Sequence, residues 1–281
     1  MNIGSLIVDP PVVNGSGAVD VASQYPDWSV PDPAVSKLGA YVTKSITLEP
    51  RAGNPQPWAE TLGDDTLVNA VGLANPGIDV VVDAWAALPQ RLGIPIIASI
   101  AGGTPDEFAE LARRITGAGW AAALELNLSC PNVHGGLIAG DARAAADVVT
   151  AVRETTGLPL LAKLSPACGD IAAVVRAVEA AGADALTCCN TMPVRWSGPS
   201  GEPLLGAGHH GGMSGVGLHP IALRVVAEAA AVSNLPIIGL GGVDGAVAAQ
   251  RMRNAGASII GVGSAAVIDP GVIAQLTEVS A

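Results

Sequence analysis

The chain has 281 residues, of which 49% are hydrophobic, 14% charged and 3% aromatic. That length suits one large domain, and an apolar fraction built mainly from Val, Ile, Leu and Ala supplies a sizeable core, which excludes general disorder. A net charge of −11 leaves no basic stripe to displace phosphate counterions, so a nucleic-acid partner is excluded as well.

Mean hydropathy is +0.44. Even so, Asp, Gly or Pro interrupts every apolar run well before the roughly 18 residues that a spanning helix needs. The start, Met1-Asn2-Ile3-Gly4, lacks the basic opening of a secretory signal and any long amphipathic extension. A cytosolic protein with no membrane contact is expected. The cysteines at 130, 168, 188 and 189 form no zinc pattern, and the adjacent pair suits no ordinary disulfide. They read as reduced thiols, at least three of them packing residues.

In chain order, the predicted strands are residues 11–14, 39–44, 95–100, 122–128, 159–164, 183–190, 236–240 and 258–263. Amphipathic helices are predicted at 78–92, 105–118, 141–156, 170–181, 220–232 and 244–255, several opening on an Asp or Thr cap and closing near Gly119, Gly157, Gly182 or Gly256. Eight strands alternating with helices imply a parallel sheet closed into a (β/α)₈ TIM barrel, with residues 1–281 as a single domain. An open doubly wound sheet is the alternative, weakened because no G-x-G-x-x-G follows an early strand. Segments 45–79 and 191–219 are too long for simple connections. Both follow strands, where barrel loops build active sites.

The predicted strand ends carry the candidate chemistry. The first leads into Gly15-Ser16-Gly17 and the second into Thr43-Lys44-Ser45; the fourth ends in Asn127-Leu128-Ser129-Cys130-Pro131-Asn132. Lys163 interrupts the apolar fifth strand, Asn190-Thr191 ends the sixth, and Gly241-Gly242 and Gly263-Ser264 end the seventh and eighth. Two lysines and several amides on one rim suit an anionic, planar guest. Glycines after strands 7 and 8 match the corner where barrels bind phosphate, although tight turns would need them too. Lys163 reads as a fixed charge for an anion developing on a cofactor, or as a lysine snorkelling to the rim; Lys44 is similar. Spacing alone makes Cys130 a packing cysteine, but it lies on a polar loop where catalytic groups gather. His134, His209, His210 and His219 show no metal-ligand spacing, and residues 206–212 read as a mobile, glycine-rich loop.

Five strings together resemble the dihydroorotate dehydrogenase family, class 1, especially the NAD-linked 1B catalytic subunit. They run Thr43-Lys44-Ser45-Ile46-Thr47-Leu48-Glu49-Pro50-Arg51 with Gly53-Asn54-Pro55; Asn69-Ala70-Val71-Gly72-Leu73; Asn75-Pro76-Gly77; Glu125 through Val133; and Gly211-Gly212-Met213-Ser214-Gly215. The resemblance implies bound FMN, with its phosphate at Gly241, Gly242, Gly263 and Ser264. Its ring and ribityl chain would meet Ser16, Lys44, Ser45, Asn127, Lys163, Cys189 and Gly215, with Ser99 where the 1B pattern usually has Asn. It implies dihydroorotate or orotate held by Lys44, Asn69, Ala70, Val71, Gly72, Leu73, Asn127, Asn132, Asn190 and Thr191. Cys130 would be the base taking the C5 proton while hydride leaves C6 for flavin N5, and Lys163 would stabilise the reduced flavin.

The resemblance further implies a homodimer core and a separate FAD and iron–sulfur subunit as electron-transfer partner, since this sequence lacks both an iron–sulfur cysteine cluster and a dinucleotide fingerprint. Ser99, a loosely matching 15–25 segment, His219-Pro220 in place of Lys-Pro and a short final helix depart from the pattern. They leave open a diverged paralogue acting on another dihydropyrimidine or cyclic imide. A non-catalytic barrel and a flavin-free sugar-phosphate enzyme are the remaining alternatives.

Overall fold

The structure, a computed structural model, describes residues 1–19, 33–63, 65–129 and 138–279. All eight predicted strands are present and lie parallel in one sheet. Barrel strands 1 to 8 are Val12–Asn14, Tyr41–Val42, Ile96–Ile100, Ala123–Asn127, Leu160–Lys163, Ala185–Cys188, Ile237–Leu240 and Ile259–Val262. The sheet closes where strand 1 meets strand 2, through the Val13–Ala40 bridge and the Asn14 side chain. Asn14 Nδ2 donates to Val42 O at 2.7 Å, and Val42 N donates back to Asn14 Oδ1 at 2.8 Å. A side-chain amide thus stands in for a missing rung of the ladder. This is a TIM barrel.

Period-2 alternation sorts each strand's residues between two faces. Leu124, Leu126, Leu160 and Ala162 point outward into the shell of helices. Val13, Ala40, Val42, Ile97, Ala123, Leu161, Ala185, Ile238 and Ile259 fill the lower interior, and Ile3, Leu6 and Val8 plug it from below. Those last residues belong to a hairpin, Asn2–Ile3 with Leu6–Ile7, which the sequence pattern did not predict. One step up, the inward positions turn polar: Ser99, Glu125, Lys163 and Thr187, all buried. The cavity opens above them.

The helix caps behave as their sequences require. Thr104, Asp141 and Asp170 each accept from a first-turn backbone N–H, and Gly119 and Gly256 end their helices in the left-handed region. Gly157 is not a cap, because the helix before it ends at Arg153. The single helix predicted over 78–92 is two, Ile78–Ala84 and Leu88–Leu92. Pro89 lacks an N–H and starts the second piece instead of continuing the first.

Each of the two long segments contributes two short strands. Ala59–Thr61 and Thr66–Asn69 from the first join Met192–Arg195 and His210–Gly215 from the second in a four-stranded antiparallel sheet. Residues 206–212, expected as a loose loop, therefore run into a central strand of this roof, and His209 Nδ1 lies 2.8 Å from Ser197 Oγ.

Candidate active site

Between the C-terminal ends of the barrel strands and the antiparallel roof lies a cavity of about 510 Å³. Ser16, Lys44, Ser45, Asn127, Lys163, Cys189, Asn190 and Thr191 line its barrel side, and Gly241, Gly242, Gly263 and Ser264 its far corner. Asn69, Ala70, Val71, Gly72, Leu73 and Gly215 come from the roof and its edges. Every described residue given a cofactor or substrate contact from the sequence is therefore at one cavity, with one exception. Ser99 is fully buried beneath it, bonded to Ser45 and Glu125, and is not part of the lining. Cys130 and Asn132 lie outside the described residues.

The floor is a connected set of amides and hydroxyls. Asn190 Nδ2 donates to Asn127 Oδ1 at 3.1 Å, and Asn127 Nδ2 donates to Ser45 Oγ at 3.2 Å. Ser45 Oγ also lies 3.0 Å from Ser99 Oγ and 3.2 Å from Ser16 Oγ, which donates to Thr43 O. Each side chain here has its rotamer fixed by a neighbour, so the floor is preorganised. Below it, Glu125 accepts from Lys163 Nζ at 3.3 Å, Ser99 Oγ at 3.2 Å and Thr187 Oγ1 at 3.1 Å.

The thiols near this floor are inert. Burial pushes the Cys189 thiol up to about 12, although the nearby Lys163 and Arg224 charges pull it back. Burial raises Cys188 further, and raises Cys168 to a lesser degree. All three are free cysteines that pack in the core, as expected. Among the described residues no cluster of His, Cys, Asp and Glu is arranged to hold a metal. No helix among them is long and apolar enough to cross a membrane.

At the far corner, a Cβ added to Gly242 would stand 2.6 Å from Gly215 O and 2.8 Å from His219 Cβ, and its φ of +65° lies in the left-handed region. Only glycine fits there, and it leaves backbone facing the cavity. A smaller cavity of about 180 Å³ continues from this corner, sharing Gly215, Gly242, Gly263 and Ser264. Ser264 Oγ donates to Ser214 Oγ at 2.8 Å, tying the end of strand 8 to the roof.

Sequence reasoning gave no role to several lining residues. Trp58, Leu67 and Pro193 form walls contributed by the roof, and Leu218 and Leu240 form others. Ser129 also lines the cavity, with a buried hydroxyl that has no partner among the described residues. Below the lining, Glu125 is a further residue given no role: it shares an inward face with Ala123 and Asn127, and a carboxylate in an apolar strand is as costly as Lys163.

Fold and cavity together define a class: a TIM barrel with a roofed, polar-floored cavity at the C-terminal ends of its strands, the position where barrel enzymes keep their sites. The family model described as dihydroorotate dehydrogenase matches residues 2–278. The chain belongs to the dihydroorotate dehydrogenase family. It is 41% identical over 285 residues to a protein of Trichlorobacter lovleyi, covering 99% of this chain and 90% of that one. It is 42% identical over 277 residues to one from Desulforudis audaxviator, covering 98% and 88%. A Streptococcus pneumoniae relative is 41% identical over 278 residues, covering 96% and 87%. All three are named dihydroorotate dehydrogenase B (NAD(+)), catalytic subunit, in agreement with the 1B resemblance. A crystal structure of the Eimeria tenella enzyme with ferulenol superposes with a TM-score of 0.79 at 22% identity, covering 99% of this chain and 82% of that one, and supports the fold.

Proposed function

We propose that the chain, as one barrel domain over residues 1–281, oxidises dihydroorotate to orotate in pyrimidine synthesis, with FMN as its cofactor. The observation that carries this is the cavity itself. Its volume falls within the few hundred to about 1,000 Å³ typical of small-ligand sites. A lysine and an amide floor stand at one end, and a corner whose Gly242 admits no side chain stands at the other. The residues fit FMN: Gly241, Gly242, Gly263 and Ser264 would hold the phosphate, and Ser16, Lys44, Ser45, Asn127, Lys163, Cys189 and Gly215 the ring and its chain. When bound, FMN would supply the two-electron acceptor for the hydride that leaves C6.

The chain's own residues do the rest. Asn69, Ala70, Val71, Gly72, Leu73, Asn127, Asn132, Asn190 and Thr191, with Lys44, would hold the pyrimidine ring and its carboxylate. Cys130 would take the C5 proton, and Lys163 would stabilise negative charge on the cofactor. The roof keeps bulk water from the reacting face. A homodimer core and a separate FAD and iron–sulfur subunit complete the proposal. The name catalytic subunit, borne by the relatives, supports such a partner.

The test is an anaerobic titration of the yellow holoprotein with dihydroorotate, followed at the flavin band. Stoichiometric bleaching is expected, and Cys130→Ser should slow it strongly at neutral pH because a serine hydroxyl is a weaker base there. A flavin that another dihydropyrimidine bleaches, but dihydroorotate does not, would overturn the substrate. An unchanged rate in Cys130→Ser would overturn the base.

A further inference from the structure

Barrel strands 3 to 6 bury a carboxylate that the proposed reaction does not use. Glu125 is 1% exposed and sits one inward step below Asn127. Its Oε1 receives Lys163 Nζ at 3.3 Å and Ser99 Oγ at 3.2 Å, and its Oε2 receives Thr187 Oγ1 at 3.1 Å. Three donors from three different strands therefore fix both oxygens. Lys163 is 4% exposed, and Glu125 is the hydrogen-bond partner of its ammonium among the described residues.

A buried ion pair is a poor way to fill a barrel, because apolar side chains of equal volume would cost less desolvation. The layer directly below is filled in that apolar way. The pair occurs only where the interior meets the cavity, and of its two members Lys163 lines the cavity while Glu125 does not. The lysine stem is flexible and its charge would escape a dry wall if left alone. The carboxylate removes that freedom.

We propose that Glu125 is a positioning residue for Lys163, pinning the ammonium at the cavity floor so that a bound flavin meets a fixed positive charge. This rests on the flavin reading of Lys163 given above. Glu125 touches neither cofactor nor substrate and acts through the lysine, while Ser99 and Thr187 orient Glu125. Ser99 thereby gains a role that its place outside the lining would not predict.

Sulfite tests this without turnover. It adds to the flavin ring of the FMN-loaded protein and leaves negative charge there, so its dissociation constant reports the positive charge held beside the ring. Lys163→Met should weaken sulfite by roughly 100-fold, as expected for losing one charge close by in a partly desolvated site. Glu125→Gln should weaken it by about tenfold or more, yet by less than about twofold when added to Lys163→Met, because residues acting as one unit are not additive. Glu125→Gln binding sulfite as tightly as the wild type or tighter, while Lys163→Met is weakened, would overturn the proposal and leave the flavin reading intact. So would a Glu125→Gln effect that persists in full without Lys163. An unaltered Lys163→Met would overturn both. Should Glu125→Gln fail to hold FMN, Thr187→Val keeps both charges and removes one bond to Oε2. It should weaken sulfite about threefold, in line with one hydrogen bond, and only while Lys163 is present; an unmoved value overturns the proposal.

Discussion

Beyond the Val13–Ala40 bridge, the Asn14 side chain carries the closing seam to Val42, which makes Asn14→Ala a sharp test of the fold. Asn14 is 2% exposed and makes three hydrogen bonds: to Val42 O at 2.7 Å, from Val42 N at 2.8 Å and to Gly15 O at 3.1 Å. Tyr41 N already donates to Pro95 O and Thr43 N to Ile97 O, so the Val42 amide faces the seam. Truncation leaves its N–H and C=O both buried and unpaired. At about 1–3 kcal/mol for each orphaned group, the loss should be about 4 kcal/mol, or about 8–15 °C in Tm for a domain of this size. Asn14→Asp should be no milder, since it keeps the acceptor for Val42 N–H but sets a carboxylate oxygen against Val42 O. Thermal unfolding followed by circular dichroism, at one fixed FMN concentration, reads both variants. A shift of less than about 3 °C for Asn14→Ala, or an Asn14→Asp markedly more stable than Asn14→Ala, would refute the idea that this amide replaces a strand rung.

Three further outcomes follow from the cavity. Gly242→Ala forces a Cβ to 2.6 Å from Gly215 O at a left-handed φ. It should cost about 1–2 kcal/mol in backbone strain alone and yield pale protein with FMN bound at least about tenfold more weakly; full yellow stoichiometry on dialysis would refute the corner's role. Ser129→Ala removes a buried hydroxyl with no partner among the described residues, so Tm of the FMN-loaded protein should hold within about 1 °C or rise. A clear loss of Tm would mean that the hydroxyl has a hydrogen-bond partner after all. Cys189 has a folded pKa of about 12 against an ordinary 9.0, so the folded state keeps its proton longer than the unfolded chain does. Its stabilising contribution is complete below about pH 9 and is lost as pH climbs toward 12, with Cys188 acting in the same direction. Urea midpoints between pH 8.5 and 10.5, compared with Cys189→Ala, should show a shallower alkaline decline in the variant. Identical slopes would mean that the thiol is not buried as described.

What sequence pattern can show is what is local. The eight strands are legible because short Val, Ile, Leu and Ala runs between capped helices fit buried parallel strands and little else, and period-2 reading puts Lys163 and Asn127 on the inner face. The break in 78–92 is legible too, in Pro89, although the apolar periodicity on either side of it points to one continuous helix. The roof is not legible. Its His210–Gly215 strand is half glycine, which β-propensity disfavours, and its register joins Gly212 to Asn69 across 143 residues. The N-terminal hairpin escapes because each arm is two residues long, too short for any periodicity. Glu125 escapes because it stands among the leucines of strand 4, two residues before the polar run that starts at Asn127.

The roof also explains how residues so far apart in sequence come to line one cavity. Asn69 pairs with Gly212, and a Cβ on Gly212 would stand only 2.1 Å from Thr191 Oγ1. The segment that carries Asn69 through Leu73 is therefore laid against the end of strand 6 by the roof's own register, and Asn190 passes that placement to Asn127 and Ser45 on the barrel floor. The substrate contacts proposed for the roof and the cofactor contacts proposed for the barrel then share one hydrogen-bonded frame. A side chain at 212 should consequently displace Thr191 and disturb orotate binding, while the glycine corner behind Gly242, which rests on Gly215 and His219, keeps its FMN. Gly212→Ala separates the two halves of the site: a raised KM for dihydroorotate with unchanged flavin content is the expected result. Parallel loss of both would mean that roof and barrel fail together and that the frame has no such division.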